Sequence, residues 1–308
     1  MVKQGKTPSA GVRLRQATRR QGRRQAKKEA SQLVVPSSFN LIKQVFGIFL
    51  SHWQVLGGII LIYLILSIVL ASGLSSVVNN FDAVKNDLAS SRSLSAALGG
   101  FSSLLGGSAA GSSPAASVMQ NTLIVIGSLV TIWALRQLLI GQQIGIKEAY
   151  YRSMTPLIPF VLVLLVIFIQ LLPVTIGSGL LAAVASSFPG SDWAILIMSL
   201  VLALLAAWSA YMLSSSIFAL YIVTLPDTQP RQALRTAKNL VNFRRLKIIR
   251  RVLFLPVFIL LAMAVIIVPL VLFAQVLVVP IYYLLSILVL FVAHTYLYSL
   301  YRGLLDDQ

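Results

Sequence analysis

Between Val252 and Tyr301 run fifty consecutive residues without one Asp, Glu, Lys or Arg. A water-facing helix or sheet needs a polar face, and this stretch offers none. The charges missing from it are crowded into short segments elsewhere. The first thirty residues carry ten Lys/Arg and one acid, and eight more basic residues fall between Arg231 and Arg251, with Asp227 the one acid nearby. A charge at the centre of a bilayer costs roughly 2.5–3.5 kcal/mol even on the lenient insertion scale. Segregation of this kind is what a membrane solvent imposes.

The composition agrees. The chain is 57% hydrophobic and 11% charged, too apolar for 308 residues to cover a soluble surface. Its net charge of +17 therefore describes basic segments attached to a nearly neutral apolar body. Without cysteine, disulfides and thiolate metal sites are excluded. No cleavable signal peptide is expected. The first long apolar run begins near Val55, beyond the reach of a signal sequence, and reads as a retained membrane helix. An organellar transit peptide is the rival reading of the Arg-rich start, against which the basic run Arg13 to Lys28 looks like a retained arm.

A spanning helix needs about 20 apolar residues at 1.5 Å rise each. Six candidates follow: Val55–Gly73, Val118–Leu135, Leu157–Leu181, Trp193–Leu225, Val252–Phe273 and Ile281–Tyr301. Pro173 and the Gly177-Ser178-Gly179 run are possible early ends to the third. A turn near Gln275–Pro280 is expected to divide the charge-free fifty residues. Lys/Arg counts orient the chain. With the N-terminal arm inside, Arg136, Lys147 and Arg152 fall in the next inside segment and the Arg231–Arg251 cluster in the last. The outside loops hold just Lys85 and Arg92. Both termini are thus expected inside. Aromatics near the expected ends, among them Trp53, Tyr221, Tyr282, Tyr283, Tyr296, Tyr298 and Tyr301, suit the headgroup boundary. The long outer loop 74–117 is rich in Ser, Gly and Ala and reads as flexible or loosely helical.

A repeated unit emerges, each copy a short amphipathic stretch followed by two spans. The first stretch runs from Pro36 to Trp53, with an apolar stripe Phe39, Ile42, Phe46, Phe49 and Trp53 and a polar stripe Asn40, Lys43, Gln44, Gly47 and Ser51. The second is Gly145 to Arg152. The third starts at Pro230, with a polar stripe Arg231, Arg235, Lys238, Asn242 and Arg245 at helical period. Each reads as an interfacial elbow helix, apolar face toward the acyl boundary and basic face toward headgroups.

The run Ala233-Leu234-Arg235-Thr236-Ala237-Lys238-Asn239-Leu240-Val241 follows the pattern A-L-x-x-A/S-x-x-L-V, with an analogous Lys147-Glu148-Ala149 before the third span. This resembles the six-helix bacterial membrane families related to the membrane domain of glycerophosphodiester phosphodiesterases, over residues 36–301. The phosphodiesterases carry a separate catalytic barrel, for which this chain has no room. The resemblance implies a fold and a membrane setting and not hydrolysis.

Motifs for chemistry are sparse. The two histidines, His52 and His294, fall near the expected inner boundary and read as interfacial anchors. None of the eight acids, at 29, 82, 87, 148, 192, 227, 306 and 307, falls within an expected span, which argues against carboxylate-coupled transport. Gln170 and Gln275 are expected to hydrogen-bond between helices. Gly5-Lys6-Thr7 lacks the rest of a phosphate-binding loop. Serines 214–216 are expected to bond back to helix carbonyls. A small-residue stripe, Ser199, Ala203, Ala206, Ala210 and Ser214, is expected to pack inside the bundle.

The expectation is an all-α integral membrane protein of the plasma or bacterial inner membrane. It has a basic, disordered cytosolic arm (1–35) and a six-helix domain (36–308) built as three elbow-plus-hairpin units. No enzymatic activity, cofactor or metal is expected. The candidate contacts to anionic lipid or another polyanion are Arg13, Arg15, Arg19, Arg20, Arg23, Arg24, Lys27 and Lys28 in the arm, with Arg231, Arg235, Lys238, Arg244, Arg245, Lys247, Arg250 and Arg251 at the third elbow. The arm has no aromatic residue to stack on bases, so ribosomal RNA or another polyanion would be held through its phosphates. The leading function is a scaffold or accessory component on anionic headgroups. The alternative is a transporter or channel for a neutral or lipidic solute, and an intramembrane enzyme comes third.

Overall fold

Three short helices alternate with three pairs of long ones. In chain order they are α1 (Ser38–Ser51), α2 (Trp53–Ala71), α3 (Pro114–Leu139), α4 (Ile146–Ser153), α5 (Leu157–Ser187), α6 (Asp192–Ile222), α7 (Pro230–Val241), α8 (Arg245–Phe273) and α9 (Gln275–Leu305). The computed structural model describes residues 37–71, 114–187, 192–226, 228–242, 244–273 and 275–305. The expectations for the arm 1–35 and for nearly all of the loop 74–117 lie outside the described residues. Among the described residues there is no strand. The long helices α2, α3, α5, α6, α8 and α9 are each long and apolar enough to cross a membrane. The chain is a polytopic, all-helical integral membrane protein whose elbows α1, α4 and α7 each precede a pair of spans.

Two cyclic rules describe the packing. The second span of each unit packs on the first span of the next: α3 on α5, α6 on α8, and α9 back on α2. Each elbow packs on the second span of the preceding unit: α4 on α3, α7 on α6, and α1 on α9. Three units obeying the same rules form a pseudo-threefold bundle. The buried side chains of the elbows carry the same signature, spaced i and i+4 for a single contact line: Leu41 and Val45 on α1, Ala149 and Ser153 on α4, Ala233 and Ala237 on α7.

Local chemistry sets the elbow boundaries. Ser37 caps α1 by accepting from the Asn40 N–H at 3.3 Å. Pro230 occupies the first turn of α7, where its missing N–H costs nothing. After α3 the chain reverses at Gly141, φ +84. The Gln142 N–H bonds to the Gln137 carbonyl and the Gly141 N–H to the Leu138 carbonyl, a Schellman ending that favours glycine.

Several sequence expectations need correction. Pro173 does not end α5, which runs on to Ser187, and the prolines of α8 and α9 also lie inside their helices. Neighbouring helices can re-satisfy the carbonyls that such prolines free. Because Gln275 already begins α9, the expected turn at 275–280 is helix. The polar stripe of the third elbow is interrupted: α7 ends at Val241, Asn242 adopts an extended backbone, and Arg245 opens α8. On α1, Leu41 and Val45 face the protein; Phe46, and Trp53 at the start of α2, are exposed, and Phe39, 73% exposed, meets the Phe254 ring edge-on at 5.6 Å. The small-residue stripe of α6 enters the bundle at Ser214 alone, leaving Ser199, Ala203 and Ala206 on the surface. In its place Ser209 makes the close contact, donating to the Gln170 carbonyl at 2.9 Å. The Gln170 side-chain oxygen has no partner among the described residues, and the side chain of Gln275 lies outside the described residues. Serines 214, 215 and 216 do bond back, to the carbonyls of Tyr211 and Met212.

Candidate functional site

The polar side chains gather toward the elbow end of the bundle, in two connected places. The deeper is centred on His294, eleven residues before the end of α9 and so about 16 Å from it. The Ser128 hydroxyl donates to the Ile124 carbonyl at 2.7 Å, which uses its single proton. Its oxygen must then accept from His294 Nε2, 2.8 Å away. That leaves Nδ1 as an acceptor, and the Tyr221 hydroxyl stands 3.3 Å from it. The ring therefore links α3, α6 and α9, one helix from each unit. His294 is thus half-buried and bonded to two other helices well inside α9, away from the helix end, while His52 caps α1 and pairs with Ser51 at 2.8 Å.

The boundary aromatics are also repositioned. Tyr221, Tyr298 and Tyr301 pack on one another with ring centroids 5.9–6.1 Å apart. Tyr296 and, toward the other end, Tyr282 and Tyr283 are buried too. Closure of the three units packs the ends of α6 and α9 against other helices, so these rings face protein.

One turn from the tyrosine cluster lies Arg136, in the last turn of α3. Its guanidinium donates to the Thr224 carbonyl at 2.8 Å, to the Thr224 hydroxyl and to the Tyr221 carbonyl. An arginine at the carbonyl end of a helix both satisfies orphan acceptors and opposes the helix dipole. The pseudo-symmetry repeats the device once, for Arg302 at the end of α9 donates to the Leu139 carbonyl at 3.2 Å. In each case the second span of one unit caps the second span of the next.

Arg136 also lines a cleft of about 690 Å³. Its walls come from α3 (Trp133, Arg136, Gln137), from the α4–α5 junction (Arg152, Thr155, Pro156, Pro159) and from residues 223–226 and 228–230 between α6 and α7. Arg152 is held by an ion pair from Nε to Glu148, 3.2 Å, one turn earlier on α4. On α4, Tyr150 donates to the Ile59 carbonyl at 3.2 Å, and burial pushes its hydroxyl up to about 12.

The cations named from the sequence are placed differently from one another. Arg231, Arg235 and Lys238 are exposed on α7, opposite buried Ala233, Ala237, Leu240 and Val241. Lys247 and Arg250 are exposed at the start of α8. Arg244, Arg245 and Arg251 are half-buried; Arg245 lies over the Tyr211 ring at 4.4 Å, and the Arg251 carbonyl accepts from the Tyr296 hydroxyl. Arg13 to Lys28 lie outside the described residues. Among the described residues no three His, Asp or Glu side chains gather into a metal-binding group. Arg136 and Arg152 were read from the sequence as topology charges alone. The available signal was that Leu138, Leu139 and Ile140 resume the apolar pattern beyond Arg136.

No family model, curated protein or solved structure matches the chain.

Proposed function

We propose that the protein is a membrane scaffold or accessory component, without catalysis, that holds its elbow end against anionic headgroups on the cytoplasmic side. The observation that carries this reading is the two-faced α7. One face is pinned to α6 and α5 by small side chains, and the other offers Arg231, Arg235 and Lys238 one helical turn apart. Each such cation near an anionic leaflet contributes about 1 kcal/mol until screening intervenes. The exposed Phe39 and Phe46 of α1, with Trp53 at the start of α2, support the same geometry, because an in-plane helix buries such rings at the acyl boundary. The basic arm, Arg13 to Lys28, would add to the same attraction.

Kinship with the phosphodiesterase-related membrane domains belongs to this proposal. The fixed positions of that pattern, Ala233, Leu234, Ala237, Leu240 and Val241, are the ones packed on the bundle, and its variable positions 235, 236, 238 and 239 are exposed. The pattern would then encode elbow docking and leave headgroup contact free to vary.

The test uses the full chain in nanodiscs of mixed zwitterionic and anionic lipid. Mass spectrometry would measure the anionic fraction retained around the protein. We expect enrichment that falls when Arg231, Arg235 and Lys238 are replaced together by Gln. Equal retention by both proteins would sink the reading. The alternative, passage of a neutral or lipidic solute, draws on the cleft beside Arg136, and solute flux in proteoliposomes would favour it.

A further inference from the structure

The cleft between α3, α4 and α7 is separate from the exposed face of α7 and has a chemistry of its own. Its described walls hold two guanidinium groups, Arg136 and Arg152, and no carboxylate. Among the described residues the hydrogen-bond acceptors of Arg136 are neutral, namely the carbonyls of Tyr221 and Thr224 and the Thr224 hydroxyl. These bonds occupy its donors without a carboxylate partner among the described residues. Arg152 is fixed through Nε by Glu148, and its two terminal amino groups have no partner among the described residues.

The backbone adds a third element. Gln229 and Pro230 line the cleft, and α7 begins at Gln229 with no side-chain cap. Its first-turn N–H groups and the positive end of its dipole therefore stand at the cleft wall. Guanidinium forks and uncapped helix N–H groups are the donors that phosphate oxygens favour. The volume lies within the range of small-ligand pockets, roughly 300–1,000 Å³, so a phosphorylated group larger than phosphate itself would fit.

We infer that this cleft binds a phosphate group, with Arg152 as the fork that grips it, Arg136 as the fixed countercharge beneath and the α7 N-terminus as a further donor. Two sources share that chemistry: the headgroup of an anionic phospholipid and a free phosphate or phosphate ester. The inference does not rest on headgroup docking by α7, because the cations differ.

Native mass spectrometry of the full chain released from neutral detergent tests it. The probes are a short-chain phosphatidic acid and, separately, inorganic phosphate as competitor. Wild type should retain one phosphatidic acid per chain, with affinity reduced roughly tenfold or more by Arg152→Gln, as loss of a charge-assisted pair implies. Arg152 is an exposed rim residue, so this variant should fold normally, and its melting temperature checks that. Arg136→Gln should lower binding as well, though it also removes a helix cap. Arg235→Gln with Lys238→Gln should leave it unchanged. Displacement by inorganic phosphate at comparable concentration would assign a soluble phosphate, and retention against it would assign a lipid headgroup. Wild-type affinity in Arg152→Gln, or loss confined to the α7 variants, would overturn the site.

Discussion

The guanidinium of Arg136 donates to the carbonyl of Thr224 across 2.8 Å, tying the end of α3 to the end of α6. The same side chain reaches the Tyr221 carbonyl and the Thr224 hydroxyl, so its removal would take the charged donor from all three, although the Tyr221 carbonyl keeps the Thr224 hydroxyl at 2.8 Å. Loss of charged hydrogen bonds of this kind costs about 1.5–3 kcal/mol. Arg136→Gln should therefore lower the thermal midpoint in detergent by several degrees. Arg136→Lys should recover little of it, since an ammonium cannot span two carbonyls as a planar fork does. Arg302→Gln, at a more exposed position where the guanidinium donates to the Leu139 carbonyl, should cost less than Arg136→Gln. Equal losses at the two positions would contradict the structural difference between them.

His294 and Ser128 make one shared interaction, so their deletions should not add. Ser128→Ala frees Nε2 of His294, and His294→Phe frees the Ser128 oxygen and the Tyr221 hydroxyl. A double-mutant cycle in detergent should give a coupling of about 0.5–1.5 kcal/mol, the range for interhelical pairs in membrane proteins. Pairing Ser128→Ala with a change at His52, which bonds to its neighbour Ser51, should give additivity.

The contrast between these groups explains what the sequence could disclose. Six spans and three elbows are written in contiguous stretches: twenty apolar residues make a span wherever they occur, and Arg231, Arg235 and Lys238 recur at helical period. The cleft has no such local record. Trp133 and Arg136, Arg152 and Thr155, and residues 223–226 and 228–230 meet because three units close on one another. Closure also misleads any reading made from helix ends. Tyr298 and Tyr301 sit at the end of an apolar run, as belt aromatics do, yet the end of α9 is enclosed by α1, α3 and α6. Pro173 fails as a stop signal for a different reason, since a membrane helix has no water to solvate a broken turn.

Tyr150 supplies a pH dependence with a definite sign. Its ordinary value of 10.0 is raised to about 12 by burial, so folding favours the protonated phenol. The stability it contributes is intact below about pH 10 and is lost as the pH rises toward 12. The stability difference between wild type and Tyr150→Phe should be flat below pH 10 and should drift in favour of the variant above it. A difference that changes between pH 6 and 9 would point to another group.

Glycines on two helices should respond in opposite directions to alanine. A Cβ at Gly127 would stand 2.9 Å from the Tyr63 ring, at the contact of α3 with α2. That ring is buried and meets Phe291 edge-on at 6.0 Å, so it has little room to withdraw. Overpacking of this kind costs about 1–3 kcal/mol, and Gly127→Ala should lower the melting temperature. At Gly47, on the exposed side of α1, nothing lies within 4 Å of the added carbon. There the helix gains roughly 0.5–1 kcal/mol of backbone preference at no steric expense. Gly47→Ala should therefore raise the midpoint slightly. A drop at Gly47 as large as that at Gly127 would mean that the exposed side of α1 is packed against something in the membrane, and crosslinking from that position would then identify it.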